Sequence, residues 1–206
     1  MNGLFITIEG MDGSGKTTQI TKLKEYFETE GKEVVLTREP GGTVISEAIR
    51  EIILDIRYKE MDPVTEALLY AAARAQHVRE YIVPLLEQGK IIICDRFVDS
   101  SMVYQGHARG LGHEKIGMIN DFATGGLVPD LTFFLDLEHT KGMSRKQNQQ
   151  ELDRLEAEKE DFHQLVREGY HALVNNNQSR MISIDASQSI EAIHLEIVKG
   201  LSKKGL

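Results

Sequence analysis

Short, continuous apolar runs alternate along the chain with longer stretches in which apolar residues recur every third or fourth position. The runs at 4–9, 33–37, 90–94, 131–137 and 181–185 predict five strands. They show little polar alternation, as expected of strands covered on both faces in a parallel sheet. After Lys16, the residues Ile20, Leu23 and Phe27 fall on one helical face, and Gly31 marks a stop. Asp62 and Pro63 form a helix start, a capping carboxylate followed by a proline suited to the first turn. The helix they open continues through Leu68, Leu69, Ala72, Val78 and Ile82 to Gly89, with room for a kink at Pro84. A later helix is predicted over 151–175, where Phe162, Leu165, Val166, Tyr170 and Leu173 keep near-helical spacing, and a last one over 189–201. Strands alternating with helices predict an α/β fold, a doubly wound parallel five-stranded sheet flanked by helices. Residues 141–150 break the pattern. They are polar and Gln-rich, and read as a solvated loop, with a mobile lid as the functional alternative.

At 206 residues the chain is expected to form a single domain over 1–206. Its 24 Lys and Arg against 32 Asp and Glu leave a net charge of −8. That balance argues against a general grip on nucleic acid or on an anionic membrane. No apolar run approaches the ~20 residues that cross a bilayer, and no basic-then-apolar leader opens the chain, so a cytoplasmic location is expected. The one cysteine, Cys94, sits in an apolar run and reads as a small buried hydrophobe. It has no partner for an intrachain disulfide or a thiolate zinc site.

The strongest chemical signal is Gly10-Met11-Asp12-Gly13-Ser14-Gly15-Lys16-Thr17, a match to G-x-x-x-x-G-K-[ST] between a predicted strand and a predicted helix. Glycines at these positions let the backbone wrap phosphate oxygens and aim its N–H groups inward. The helix N-terminus adds partial positive charge, Lys16 reaches the outer phosphates, and the Thr17 hydroxyl can ligate Mg²⁺. The motif predicts a nucleoside triphosphate site and a P-loop NTPase-type sheet, with Thr18 extending the phosphate-binding run.

Two further segments follow strands. The run at 90–94 ends in Asp95, the position of a second carboxylate near the metal, and Arg96 comes next. Asp95 or Asp99 would be the partner of Arg96 in a purely structural ion pair. Thr37-Arg38-Glu39-Pro40-Gly41-Gly42 sets an arginine above a tight turn, and arginine binds phosphate bidentately. Two anion sites on one sheet edge imply phosphoryl transfer between two phosphorylated molecules.

These residues, with Asp95-Arg96-Phe97-Val98-Asp99-Ser100-Ser101, Tyr104-Gln105-Gly106, Pro129-Asp130-Leu131-Thr132 and Asp153-Arg154-Leu155-Glu156, resemble bacterial thymidylate kinases in order and over essentially the whole chain. The resemblance implies Mg²⁺-dependent transfer of the ATP γ-phosphoryl group to dTMP, giving dTDP and ADP for dTTP biosynthesis, in a cytoplasmic homodimer with a short lid at about 139–152. By the same resemblance Arg38 holds the dTMP phosphate, with Glu39 beside it, and Arg96 lies near the transferred group. Asp12 accepts a hydrogen bond from the sugar 3′-hydroxyl, and Tyr70 stacks on thymine. Arg74, Ser101 and Gln105 read the base's polar edge, Arg50 lies near that face, and Tyr104 crowds the sugar 2′ position. The Glu39–Pro40 bond is expected to be cis. Thr17 and Asp95 would hold Mg²⁺ through water.

One cation is still required over the transferred phosphoryl group. Where one branch of the family has an arginine inside the phosphate loop, this chain has Gly13. The lid offers Arg145 and Lys146, then Arg154, so Arg145 is the expected catalytic finger and Arg154 the second choice. The acidic stretch from Glu151 to Asp161 reads as a solvated helix face, and the seven histidines, His77 among them, as surface or packing residues. Two other readings stay open: a deoxynucleoside kinase, and a nucleotide-binding module without catalysis.

Overall fold

The computed structural model describes residues 3–146 and 153–205, with the Lys146 side chain outside that set. The expected lid therefore falls partly outside the described residues, at 147–152. In chain order the elements begin β1 (Leu4–Glu9), α1 (Lys16–Thr29), β2 (Val34–Arg38), α2 (Val44–Leu54), α3 (Pro63–His77) and α4 (Val83–Glu87). They continue β3 (Ile91–Asp95), α5 (Val98–Ser101), α6 (His113–Thr124), β4 (Leu131–Asp136) and α7 (His139–Lys146). Last come α8 (Glu160–Asn176), β5 (Met181–Asp185) and α9 (Ile190–Lys203).

The five strands form one parallel sheet in the order β2-β3-β1-β4-β5. The chain leaves β1 toward one side of the sheet and β3 toward the other, which opens a crevice between the carboxyl ends of these two strands. Alternate residues of each inner strand are buried on opposite faces. Ile6, Ile8, Ile93 and Phe133 pack under α1 and α9, against Leu23, Phe27, Ile197 and Leu201. Phe5, Ile92 and Cys94 pack on the other face with Val78, Ile82 and Phe97. Cys94 is a buried hydrophobe, as expected, and burial pushes its thiol pKa up.

The long helix starts as predicted, with the Asp62 carboxylate accepting from Val64 N at 2.8 Å. It does not break at Pro84. A π-helical segment, Val78–Ile82, joins α3 to α4, so the extra residue per turn comes just before the position where proline removes a donor. A second π segment, Met102–Ala108, continues α5. The helix expected over 151–175 begins only at Glu160. Asp153 Oδ1 accepts from the backbone N–H groups of Leu155 and Glu156, both at 2.9 Å, and that turn competes with helical pairing. Of the segment read as a loop, 141–146 is helical as part of α7.

Candidate active site

A cleft of about 770 Å³ opens at the carboxyl ends of β1, β2 and β3. The residues predicted from Asp12 through Thr18 line it, as do Arg38, Glu39, Arg50, Tyr70, Arg74, Asp95, Arg96, Ser101, Tyr104, Gln105 and Arg145. Gly10 and Met11 belong to the same loop beneath it: Lys16 Nζ donates to the Gly10 carbonyl at 3.1 Å and to the Met11 carbonyl at 3.3 Å. Gly13 and Gly15 hold φ of 75° and 91°, backbone that costs an L side chain about 1–2 kcal/mol. Burial, and then the neighbouring Arg96, lower the Lys16 pKa. The Ser14 hydroxyl is buried in this loop with no hydrogen-bond partner among the described residues.

Arg96 is the one non-glycine residue with positive φ, 68°, among the described residues. Such a conformation persists only where its surroundings enforce it. Here Arg96 N donates to the Ile8 carbonyl at 3.0 Å, and the turn aims the guanidinium across the cleft, where Nη2 donates to Asp12 Oδ1 at 3.0 Å. Its charge also lies over the Tyr104 ring at 5.5 Å. The ion-pair partner of Arg96 is thus Asp12, and Asp99 pairs with Arg180 at 2.7 Å. Burial pushes the Tyr104 pKa up to about 12 and raises that of Tyr70 as well. Both phenols stay neutral beside their acidic neighbours.

Below the loop, Glu9 is fully buried. Its carboxylate accepts from Phe97 N at 2.8 Å, Ser100 Oγ at 2.6 Å and Tyr170 Oη at 2.8 Å. Burial, reinforced by the nearby Asp99 charge, raises its pKa to about 7.

At the other end, Arg38 makes a paired contact with Glu47, at 2.9 and 3.0 Å, which lowers the Glu47 pKa, and Arg50 Nη1 donates to the Pro40 carbonyl at 2.7 Å. The Glu39–Pro40 peptide bond is cis, as the resemblance implied. Arg74 is 2% exposed and spans Glu39, Asn120 and the Phe97 carbonyl. Gln105 Nε2 donates to Glu66 at 2.8 Å. The π segment turns both Tyr104 and Gln105, adjacent in sequence, into the cleft wall.

The lid cations separate clearly. Arg145 lies at the rim, exposed, its Nη1 donating to the Ala186 carbonyl at 3.1 Å. Arg154 is 4% exposed, pairs with Glu66 at 2.7 Å, donates to the Ile53 carbonyl and does not line the cleft. The acidic stretch is not simply solvated either. Asp153 and Glu156 line the cleft, and burial raises the Asp153 pKa.

Acidic residues are interleaved with the basic ones in the lining. Six cations line the cleft, Lys16, Arg38, Arg50, Arg74, Arg96 and Arg145, but so do five carboxylates, Asp12, Glu39, Asp95, Asp153 and Glu156. Desolvated cations require partners, and the fold supplies them.

Sequence reasoning passed over Glu47, Glu66, His77 and Asn120. His77 is neither a surface residue nor mere packing: it is fully buried and hydrogen-bonded to Glu39. A signal existed, since Glu66, Tyr70, Arg74 and His77 stand at steps of four, four and three on α3, one helical face on which Tyr70 and Arg74 line the cleft.

Comparison with known proteins agrees with this geometry. The thymidylate kinase family model matches residues 8–197. The thymidylate kinase of Thermoanaerobacter sp. (strain X514) is 49% identical over 203 residues, covering 98% of this chain and 99% of the relative. That of Bacillus licheniformis is 50% identical over 195 residues, covering 94% and 92%. The crystal structure of thymidylate kinase from Ehrlichia chaffeensis superposes with a TM-score of 0.79 at 37% identity, covering 97% of this chain and 98% of that one.

Proposed function

The chain belongs to the thymidylate kinase family, and from that premise we propose a division of labour within its cleft. The enzyme transfers the γ-phosphoryl group of ATP to dTMP, giving dTDP and ADP for dTTP synthesis. We read the whole chain, 1–206, as a single kinase domain. The loop from Gly10 to Thr18 wraps the ATP phosphates, with Lys16 on the outer ones. Arg38 and Arg50 hold the dTMP phosphate, Tyr70 stacks on thymine, and Arg74, Ser101 and Gln105 face its polar edge. Asp12 receives the 3′-hydroxyl, while Tyr104 crowds the 2′ position and so favours deoxyribose.

The observation that carries this reading is Arg96. Its left-handed backbone aims a guanidinium at Asp12 of the phosphate loop and at Ser100, on the acceptor side of the cleft. In the reaction a phosphate oxygen of dTMP forms a bond to the γ-phosphorus as the bond to the β-bridging oxygen breaks, and ADP leaves with that electron pair. The nucleophile is already ionised at neutral pH, so no general base is required. Alignment, and neutralisation of the negative charge spread over the three equatorial oxygens of the transferring group, remain for Lys16, Arg96 and Arg145.

For Mg²⁺, the fit rests on Asp95. Its Oδ1 is buried at the cleft with no hydrogen-bond partner among the described residues, a free hard-oxygen ligand of the kind this ion takes. Asp95 and the Thr17 hydroxyl would hold the ion, which would neutralise phosphate charge. A homodimer is supported by apolar side chains left exposed on α3 and α6, Leu68, Met118 and Phe122 among them. Both substrates are charged phosphates that do not cross a bilayer unaided, which favours a cytoplasmic enzyme. Among the described residues no helix is long and apolar enough to cross a membrane.

The test is an ADP-release assay with ATP and Mg²⁺ across the nucleoside monophosphates and thymidine. dTMP is expected to be the fastest acceptor; preference for thymidine would overturn the acceptor assignment.

A further inference from the structure

Behind the acceptor end of the cleft, four side chains form one continuous hydrogen-bonded chain. Arg74 Nε donates to Glu39 Oε2 at 2.7 Å, Glu39 Oε1 meets His77 Nδ1 at 3.0 Å, and His77 Nε2 meets Thr37 Oγ1 at 2.7 Å. Glu39 is 5% exposed and His77 is completely buried, outside the cleft lining. A carboxylate can only accept, so His77 Nδ1 carries the proton toward Glu39, and in the neutral ring Nε2 accepts from the Thr37 hydroxyl. The far side of Arg74 is held as firmly, by Asn120 and the Phe97 carbonyl.

The same imidazole supports the loop that carries Arg38. A Cβ on Gly42 would come within 2.5 Å of His77 Nε2 and 2.9 Å of Thr37 Oγ1, so the loop backbone rests directly on the ring. Tyr81 stacks on it at 6.0 Å. His77 therefore touches both the turn beneath the expected phosphate clamp and, through Glu39, the arginine expected to face the base.

We infer that His77 is a positioning residue for the acceptor nucleotide, acting through Glu39 to hold the Arg38 turn and the Arg74 guanidinium at the separation a thymidine monophosphate requires. The inference deepens the reading of the cleft as a dTMP site and rests on it. His77 touches no substrate atom in this scheme. Its effect belongs to acceptor binding and base discrimination, not to the chemical step.

The experiment measures kcat, KM for dTMP and ATP, and preference for dTMP over dCMP, together with Tm, in wild type, His77→Leu, His77→Asn and Thr37→Val. A buried carboxylate oxygen left without its donor weakens what it supports by about tenfold, so His77→Leu should raise KM for dTMP by about that factor. Its kcat and KM for ATP should stay within about threefold of wild type, and its base preference should narrow, since positioning of the acceptor is what is lost. His77→Asn places an amide N–H near the Nδ1 position and should restore KM for dTMP. An unchanged KM in folded His77→Leu, or no rescue by folded His77→Asn, overturns the inference. If His77→Leu does not fold, Thr37→Val decides. A raised KM for dTMP at unchanged Tm supports the inference, and an unchanged KM overturns it. Wild type that fails to phosphorylate dTMP would instead sink the underlying reading of the site.

Discussion

The backbone of Gly142 in α7 lies directly against Gly13 of the phosphate loop. A Cβ on Gly13 would overlap the Gly142 carbonyl, and a Cβ on Gly142 would overlap the Asp12 carbonyl oxygen. The base of the expected lid is thus seated on the loop through two residues without side chains.

Gly142→Ala should separate folding from alignment. Alanine favours a helix by about 1 kcal/mol over glycine, so α7 itself gains stability. The added methyl nevertheless has to lift α7 from Asp12, and displacements near 1 Å in such assemblies cost on the order of a hundredfold in turnover. A fall in kcat of at least about tenfold at unchanged Tm is expected; wild-type kcat would show that the contact is incidental.

Arg145 is carried by the same helix, at the cleft rim. A guanidinium over the transferred phosphoryl group is worth about 10³–10⁵ in kcat. Arg145→Ala should lower kcat at least about a hundredfold with little change in dTMP affinity, as read from steady-state and binding measurements. A loss under about tenfold would remove Arg145 from the catalytic set.

Glu9 makes stability depend on pH in a defined direction. Its pKa stands near 4.5 in an unfolded chain and about 7 in the folded protein. The native state therefore binds the proton more tightly, and the resulting stabilisation is complete below about pH 4.5 and lost as pH rises to about 7, by up to about 3 kcal/mol. Urea unfolding of wild type and Glu9→Gln between pH 5 and pH 8 should show the wild type losing stability relative to the variant. Parallel curves would contradict the raised pKa.

Asp95→Asn replaces an ionised ligand by a neutral one at the proposed Mg²⁺ position. The Mg²⁺ concentration giving half-maximal rate should rise by about tenfold or more, while KM for dTMP changes little. An unchanged Mg²⁺ requirement would place the ion elsewhere.

Much of this was legible before folding. The five apolar runs became five parallel strands; the three inner ones, β1, β3 and β4, are buried almost continuously on both faces, whereas the edge strands β2 and β5 are only partly covered. The phosphate loop was equally plain, since its glycines, Lys16 and Thr17 are neighbours in the chain, and the phosphate-binding geometry is local backbone. The cleft residues carried by the family resemblance also converge on one cavity.

What local pattern could not decide was partnership. Arg154 looked like a spare lid cation, and folding buries it on Glu66, more than two-fifths of the chain away. His77 looked like packing, and folding sets it between Thr37 and Glu39. Arg96 pairs across the cleft with Asp12, and Asp153 and Glu156 join the carboxylates that line it. Periodicity and motif spacing depend on residues within a turn or two of one another, so the sequence alone determined the five strands and the phosphate loop. The charge state and orientation of each side chain depend on which distant groups share its buried volume, and on the cost of leaving a desolvated charge alone, which only the tertiary structure decides.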